Sequence, residues 1–173
     1  MVGLAGAHRM GSAQATIGIV EFSDYQCPYC RGFHDQVFPR LKKEYVDTGI
    51  AQFIHKDLPL KSIHPQALPT ALAASCAGLQ KRFWPMHEAL YANNAKLSPT
   101  LYPQLAREIG LDEAKFGACL GDAAREQVVM RDVAENSQAA LGAAAAALTR
   151  LGDERPLLIS VDDAHHLDDP SAA

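Results

Sequence analysis

The chain has no second Cys-x-x-Cys pair to partner Cys27-Pro28-Tyr29-Cys30, no Gly-Lys dipeptide, and no apolar run approaching the ~18 residues of a membrane-crossing helix. The first absence argues against a zinc ribbon, whose four thiolates come from two such pairs. The second excludes a Gly-x-x-x-x-Gly-Lys-Ser/Thr phosphate loop, and with it nucleotide hydrolysis. The third leaves no membrane span to expect. Basic excess is lacking too: the net charge is −4, and over residues 1–142 the 14 basic side chains are balanced by 14 acidic ones, so nothing points to nucleic acid. The acidic surplus lies in residues 143–173, which carry 2 basic and 6 acidic side chains. No metal or cofactor is expected.

What is present is enough for one domain with a proper core, since the chain runs to 173 residues and is 48% hydrophobic. Four cysteines around a single Cys-x-x-Cys suggest redox use rather than a disulfide-stapled miniprotein. The opening Met1-Val-Gly-Leu-Ala-Gly-Ala-His-Arg9 puts its positive charge after its short apolar run, the wrong side for a secretory signal.

The chemistry concentrates between Glu21 and His34. Ile17, Ile19, Val20 and Phe22 read as a strand that runs through Ser23 and Asp24 into Cys27-Pro28-Tyr29-Cys30, the strand-then-helix context of a redox pair. Pro28 suits the first helical position, which puts Cys27 at the N-cap, its sulfur facing the N–H groups of Tyr29 and Cys30. Those donors and the helix dipole favour a thiolate, so Cys27 is the expected nucleophile. Cys30, one turn further in and less exposed, is placed to resolve a mixed disulfide. His34, four residues after Cys30, shares its helix face and either packs or tunes the thiolate. His55, His64 and His87 are not at metal-ligand spacing and are given no chemistry.

In chain order, residues 1–15 read as a loose lead-in without a role, and Thr16–Phe22 as the first strand. A helix from Pro28 to about Val46 should kink at Pro39. Ile50–Lys56 reads as a second strand, parallel to the first. Helices are then expected at about Pro65–Leu79, Lys81–Asn93, Thr100–Gly110 (capped by Ser98), Asp112–Leu120, and from Asp122 across an alanine run to Leu151. Leu157–Val161 is the remaining strand candidate.

The stretch Ile17-Gly-Ile-Val-Glu-Phe-Ser-Asp-Tyr-Gln-Cys-Pro-Tyr-Cys30 resembles the DsbA-like branch of the thioredoxin superfamily, as do Lys56-Asp-Leu-Pro-Leu60 with His64, Ala71-Leu-Ala-Ala-Ser-Cys-Ala77, and Phe83-Trp-Pro-Met-His-Glu-Ala-Leu90. The resemblance spans about residues 11–142. It implies an α/β thioredoxin-like fold at 16–142 with a large helical insertion at about 65–142, whose core would include Phe83, Trp84, Met86 and Leu90. It also implies a thiol–disulfide oxidoreductase acting on protein or peptide substrates, with a recycling partner and an extracytoplasmic setting. Glu21, six residues before Cys27, matches the family's buried acid. Cys76 and Cys119 are either ordinary core thiols, the favoured reading, or a second disulfide such as some relatives form. A glutaredoxin-like, glutathione-linked reductase is the enzymatic alternative, and an inactive peptide-binding remnant the non-enzymatic one.

At about Ala143 the resemblance stops. The family's turn with a cis proline has no counterpart, because the chain lacks a Thr-Pro pair, and the last strands of the fold are missing or replaced by the tail 143–173. Arg155-Pro-Leu-Leu-Ile-Ser-Val-Asp-Asp163 instead resembles a Walker B strand of a LuxR- or MalT-type ATPase. The expected consequence is a marginal fold, prone to oligomerise, with an overexposed Cys27.

Overall fold

The computed structural model describes residues 6–131, 133, 149–151 and 155–161. They fall into two compact units, with boundaries after Ser23, Arg31 and Lys56. One unit holds the sheet: residues up to Ser23, Gly32–Lys56 and the C-terminal strands. The other holds Asp24–Arg31 and the chain from Asp57 through the following helices.

The sheet unit is built on β2 (Ile17–Ser23), an apolar run from which every residue after Ile17 is buried. Burial without alternation is what a strand covered on both faces requires. Its neighbours are β3 (Ala51–Asp57) on one side and β5 (Arg155–Val161) on the other; β1 (His8–Met10) and β4 (Thr149–Leu151) are the edges, in the order β1-β3-β2-β5-β4. β5 runs parallel to β2, from Gly18 opposite Leu157 to Phe22 opposite Val161. The Walker-B-like segment thus supplies the replacement strand, docked on the edge of β2. Two expectations are corrected here. His8–Met10 is no loose lead-in but pairs antiparallel with β3, His8 opposite His55. Thr149–Leu151 is a strand antiparallel to β5 rather than the end of a long helix; Thr149 is β-branched, and its segment gains ladder partners that outweigh weak helix propensity. The junction itself, 134–148, lies outside the described residues. No peptide bond among the described residues is cis.

The long helix expected after Cys27 breaks earlier than Pro39. α1 (Pro28–Gln36) stops, α2 (Phe38–Leu41) restarts with Pro39 in its first turn, and a π turn follows over Lys42–Val46. Proline has no N–H and its ring crowds the carbonyl four residues back, at Asp35, so the helix yields one turn before the proline. Phe38 then packs its ring 4.7 Å from that of Phe53 on β3. Gly11 fits only as glycine: its φ is +97°, and a Cβ there would lie 2.8 Å from Val46 Cγ1.

In the helical unit the expected helices appear as α3 (Ala67–Leu79), α4 (Phe83–Ala92), α5 (Leu101–Glu108) and α6 (Glu113–Leu120), with a further helical run over 123–131. Asp112 caps α6, accepting the Lys115 N–H. Ser98 does not cap α5; its carbonyl accepts the Leu101 N–H in a turn that delays the helix. α3 buries Ala71, Ala73, Ala74 and Ala77, small side chains that let its neighbours approach closely. Phe83, Met86 and Leu90 of α4 are core residues, and Trp84 packs against them. None of the helices among the described residues is long and apolar enough to cross a membrane.

Candidate active site

Cys27 sits immediately before α1, and its carbonyl accepts the first helical hydrogen bond, from the Arg31 N–H at 3.1 Å, as an N-cap residue's should. Its own N–H closes a turn onto the Asp24 carbonyl at 3.1 Å. Cys27 and Cys30 are both present as thiols. The expectation of an overexposed Cys27 is wrong: it is 1% exposed and Cys30 3% exposed. Both belong to the apolar core of the helical unit, together with Tyr25, Met86 and Tyr91. The exposed face of the motif is Tyr29, at 55%. Position at a helix N-terminus favours a thiolate and apolar burial opposes it, so the reactivity of the pair depends on how firmly that terminus is held.

The hold comes from the three residues before Cys27, of which only Asp24 was marked in the sequence, as part of the turn. The Asp24 carboxylate, buried, accepts the Gln26 N–H at 2.7 Å through Oδ1, and the Leu60 N–H at 2.9 Å and His64 Nδ1 at 2.8 Å through Oδ2. The Tyr25 hydroxyl lies 2.9 Å from His87 Nδ1, its ring 4.9 Å from that of Tyr91, and its carbonyl accepts the Asn94 side-chain amide at 2.6 Å. Gln26 Oε1 accepts the Gln66 N–H at 2.6 Å. His64 and His87, given no chemistry from sequence, are thus anchoring partners. The signal for Asp24 is local, an acid in a turn just before a helix; the signal for its partners is not, because they lie 36 and 40 residues further on.

The remaining candidates divide. Glu21 is 2% exposed, with its carboxylate 3.2 Å from His55 Nδ1, a buried pair within the sheet unit. His34 stacks on Phe38, the ring centroids 5.6 Å apart. Cys76 of α3 and Cys119 of α6 are joined in a disulfide, against the favoured reading of two core thiols. Side-chain direction decides this: both cysteines face the α3–α6 contact with Cα atoms 5.8 Å apart, within bridging range, which spacing along the chain does not reveal.

The profile of the family described as thioredoxin matches residues 4–144. The Na(+)/H(+) antiporter NhaA 3 of Salinispora tropica is 32% identical over 126 residues, 73% of this chain but 19% of its own length. Disulfide bond formation protein D of Bacillus subtilis is 31% identical over 85 residues, 47% of this chain and 37% of its own. The chain therefore spans less than half the length of these curated relatives. The crystal structure of Wolbachia pipientis alpha-DsbA1 superposes with a TM-score of 0.71 at 24% identity, covering 82% of this chain and 72% of that one. A family match over most of the sequence, joined to a thioredoxin-like sheet and a Cys-Pro-Tyr-Cys helix start, leaves one assignment: the chain belongs to the thioredoxin family, with the fold of its DsbA-like members.

Proposed function

We propose that this protein is a thiol–disulfide oxidoreductase that exchanges disulfides with protein or peptide substrates through Cys27 and Cys30. The observation that carries the reading is the placement of the two cysteines, Cys27 at the N-cap of α1 and Cys30 inside its first turn. In the reducing direction the Cys27 thiolate attacks a substrate disulfide, one substrate sulfur leaves as thiolate, and a mixed disulfide forms on Cys27. Cys30, after losing its proton, attacks the Cys27 sulfur, releases the second substrate thiolate and leaves the Cys27–Cys30 disulfide. The oxidising direction is the same sequence reversed. Glu21 is the candidate proton carrier of the exchange, supported by its burial and its hydrogen bond to an ionisable partner, His55. Pro28 and Tyr29 are the helix starter and the exposed contact of the motif. A recycling partner that re-poises the pair completes the cycle.

The Cys76–Cys119 disulfide supports a working place in an oxidising, extracytoplasmic compartment, where such bridges persist. The test is the equilibrium redox potential of Cys27–Cys30 in glutathione buffers, together with turnover on a reduced, unfolded protein. An oxidising potential with turnover supports the proposal. A value near the cytosolic poise favours a glutathione-linked reductase, and a formed disulfide without turnover favours a peptide-binding remnant.

A further inference from the structure

We propose that Asp24 and His64 are positioning residues for the reactive thiol: their hydrogen bond fixes the turn that presents Cys27 at the start of α1. The inference rests on the reading of Cys27 as nucleophile and adds to it a device that sets its reactivity.

Asp24 contributes at both ends of that turn. Its main-chain carbonyl takes the Cys27 N–H, and its side chain takes the Gln26 N–H, so the backbone immediately before α1 is held twice by one residue. A carboxylate has more than one acceptor position on each oxygen, and here the second oxygen is used by the Leu60 N–H and by His64 Nδ1. Those donors belong to the loop between β3 and α3, so the carboxylate ties the active-site turn to a segment remote in sequence. The charge itself is 2% exposed on the Asp24 side, against 16% for His64, and a carboxylate so buried is held only by donors aimed at it. His64 is the one side-chain donor among them; the other two are main-chain groups that no substitution removes without rebuilding the backbone. A parallel clasp runs from Gln26 to the Gln66 N–H, and Gln66 is fixed in turn by Tyr102, whose hydroxyl donates to its Oε1 at 3.0 Å.

Loosening this turn spreads the orientation of the first N–H groups of α1 relative to the Cys27 sulfur. Thiolate stabilisation at an N-cap depends on that alignment, so it weakens while the fold remains. His64→Ala loses the clasp. His64→Asn keeps it, because the asparagine amide nitrogen falls near the place of Nδ1 and still donates to Asp24.

The experiment is iodoacetamide labelling of the reduced full-length protein at pH 5, with rates assigned to Cys27 and Cys30 by mass mapping and folding checked by circular dichroism. Cys27 in the wild type is expected to react faster than Cys30; if it does not, the nucleophile assignment falls and this proposal with it. Given a fast wild-type Cys27, His64→Ala should slow it about tenfold, the equivalent of one unit in thiol pKa. His64→Asn should return it to near the wild-type rate. A His64→Ala protein labelled as fast as wild type, or a His64→Asn protein as slow as His64→Ala, overturns the positioning role and leaves the nucleophile assignment intact. Should His64→Ala fail to fold, Gln26→Ala removes the parallel clasp and carries the same expectation: slower Cys27 labelling supports the role of the clasped turn, and an unchanged rate overturns it.

Discussion

Cys27 and Cys30 differ in position by one helical turn, and that difference decides what each loses on substitution. Cys30→Ser leaves an N-cap thiol that still attacks but has nothing to resolve it, so mixed disulfides on Cys27 should accumulate with substrate, visible as reducible higher-mass bands on non-reducing gels. Cys27→Ser should give none, and bands of equal intensity in both variants would sink the division of roles. These two residues were legible in the sequence because the chemistry needs only local information: a strand, a proline, and a spacing of three. The burial of Cys27 was not. It comes from Tyr25, Met86 and Tyr91 meeting it in one core, and those residues are up to 64 positions away in the chain. For the same reason Glu21 could be placed on a strand, but its pairing with His55 depends on side chains brought together from β2 and β3.

Among elements, the helices were readable because their caps and periods are local; besides the strand at Thr149–Leu151 in place of a helix end, two departures have identifiable causes. Pro39 broke the first helix instead of bending it, and Ser98 lost the capping role to a turn. α6 offers a clean pH test of its N-cap, Asp112. The Asp112 carboxyl is held below its usual range, first by the hydrogen bond from the Lys115 main chain and then by the Lys115 side chain. A folded-state pKa lower than the unfolded one means the contribution is complete above the unfolded value of about 3.9 and is lost as pH falls through the folded one. The thermal midpoint of Asp112→Ala should therefore lie below that of wild type at pH 6, with the gap closing as pH falls below about 4. Glu113, lowered by its hydrogen bond to Arg107, titrates with the same sign, so the difference between variants and not the wild-type curve isolates the cap. A gap that persists unchanged at pH 2.5 would contradict the charge-dependent account. The link between α3 and α6 is a larger quantity. Cys76 and Cys119 lie 43 residues apart, and closing a loop of that size in the unfolded chain is worth about 4 kcal/mol in the chain-entropy description. The Cys76→Ala/Cys119→Ala variant should lose a stability of that order by urea denaturation. A change below about 1 kcal/mol would mean that the unfolded chain gains little from the cut, or that packing between α3 and α6 already supplies the order.

For the molecule as a whole, the question is what the divergent tail does for the fold that precedes it. Sequence alone pointed to an open edge on the first strand, because the family's own closing strands could not be found after Ala143. It could not show that a segment resembling another family's strand would take the place, since strand pairing depends on apolar fit and edge availability more than on ancestry. β5 does take it. It covers the edge of β2 over five register positions, from Gly18 to Phe22, and the new edge is the three-residue β4, too short to template pairing with another chain. The expected tendency to oligomerise was argued for this chain from an open edge, and with β5 paired to β2 that edge reopens when the tail is removed. Deleting residues 149–173 removes both C-terminal strands and leaves β2, with Ile19, Val20 and Phe22 all buried in the intact protein, as an unpaired apolar edge. That truncated chain should self-associate more strongly than the intact chain in multi-angle light scattering and should unfold less cooperatively than it does. Were the truncation monomeric with unchanged unfolding, β5 would be an ornament on a sheet that stands without it; were the full chain itself to oligomerise, the short edge strand would be insufficient protection and the pairing with β2 weaker than its register implies.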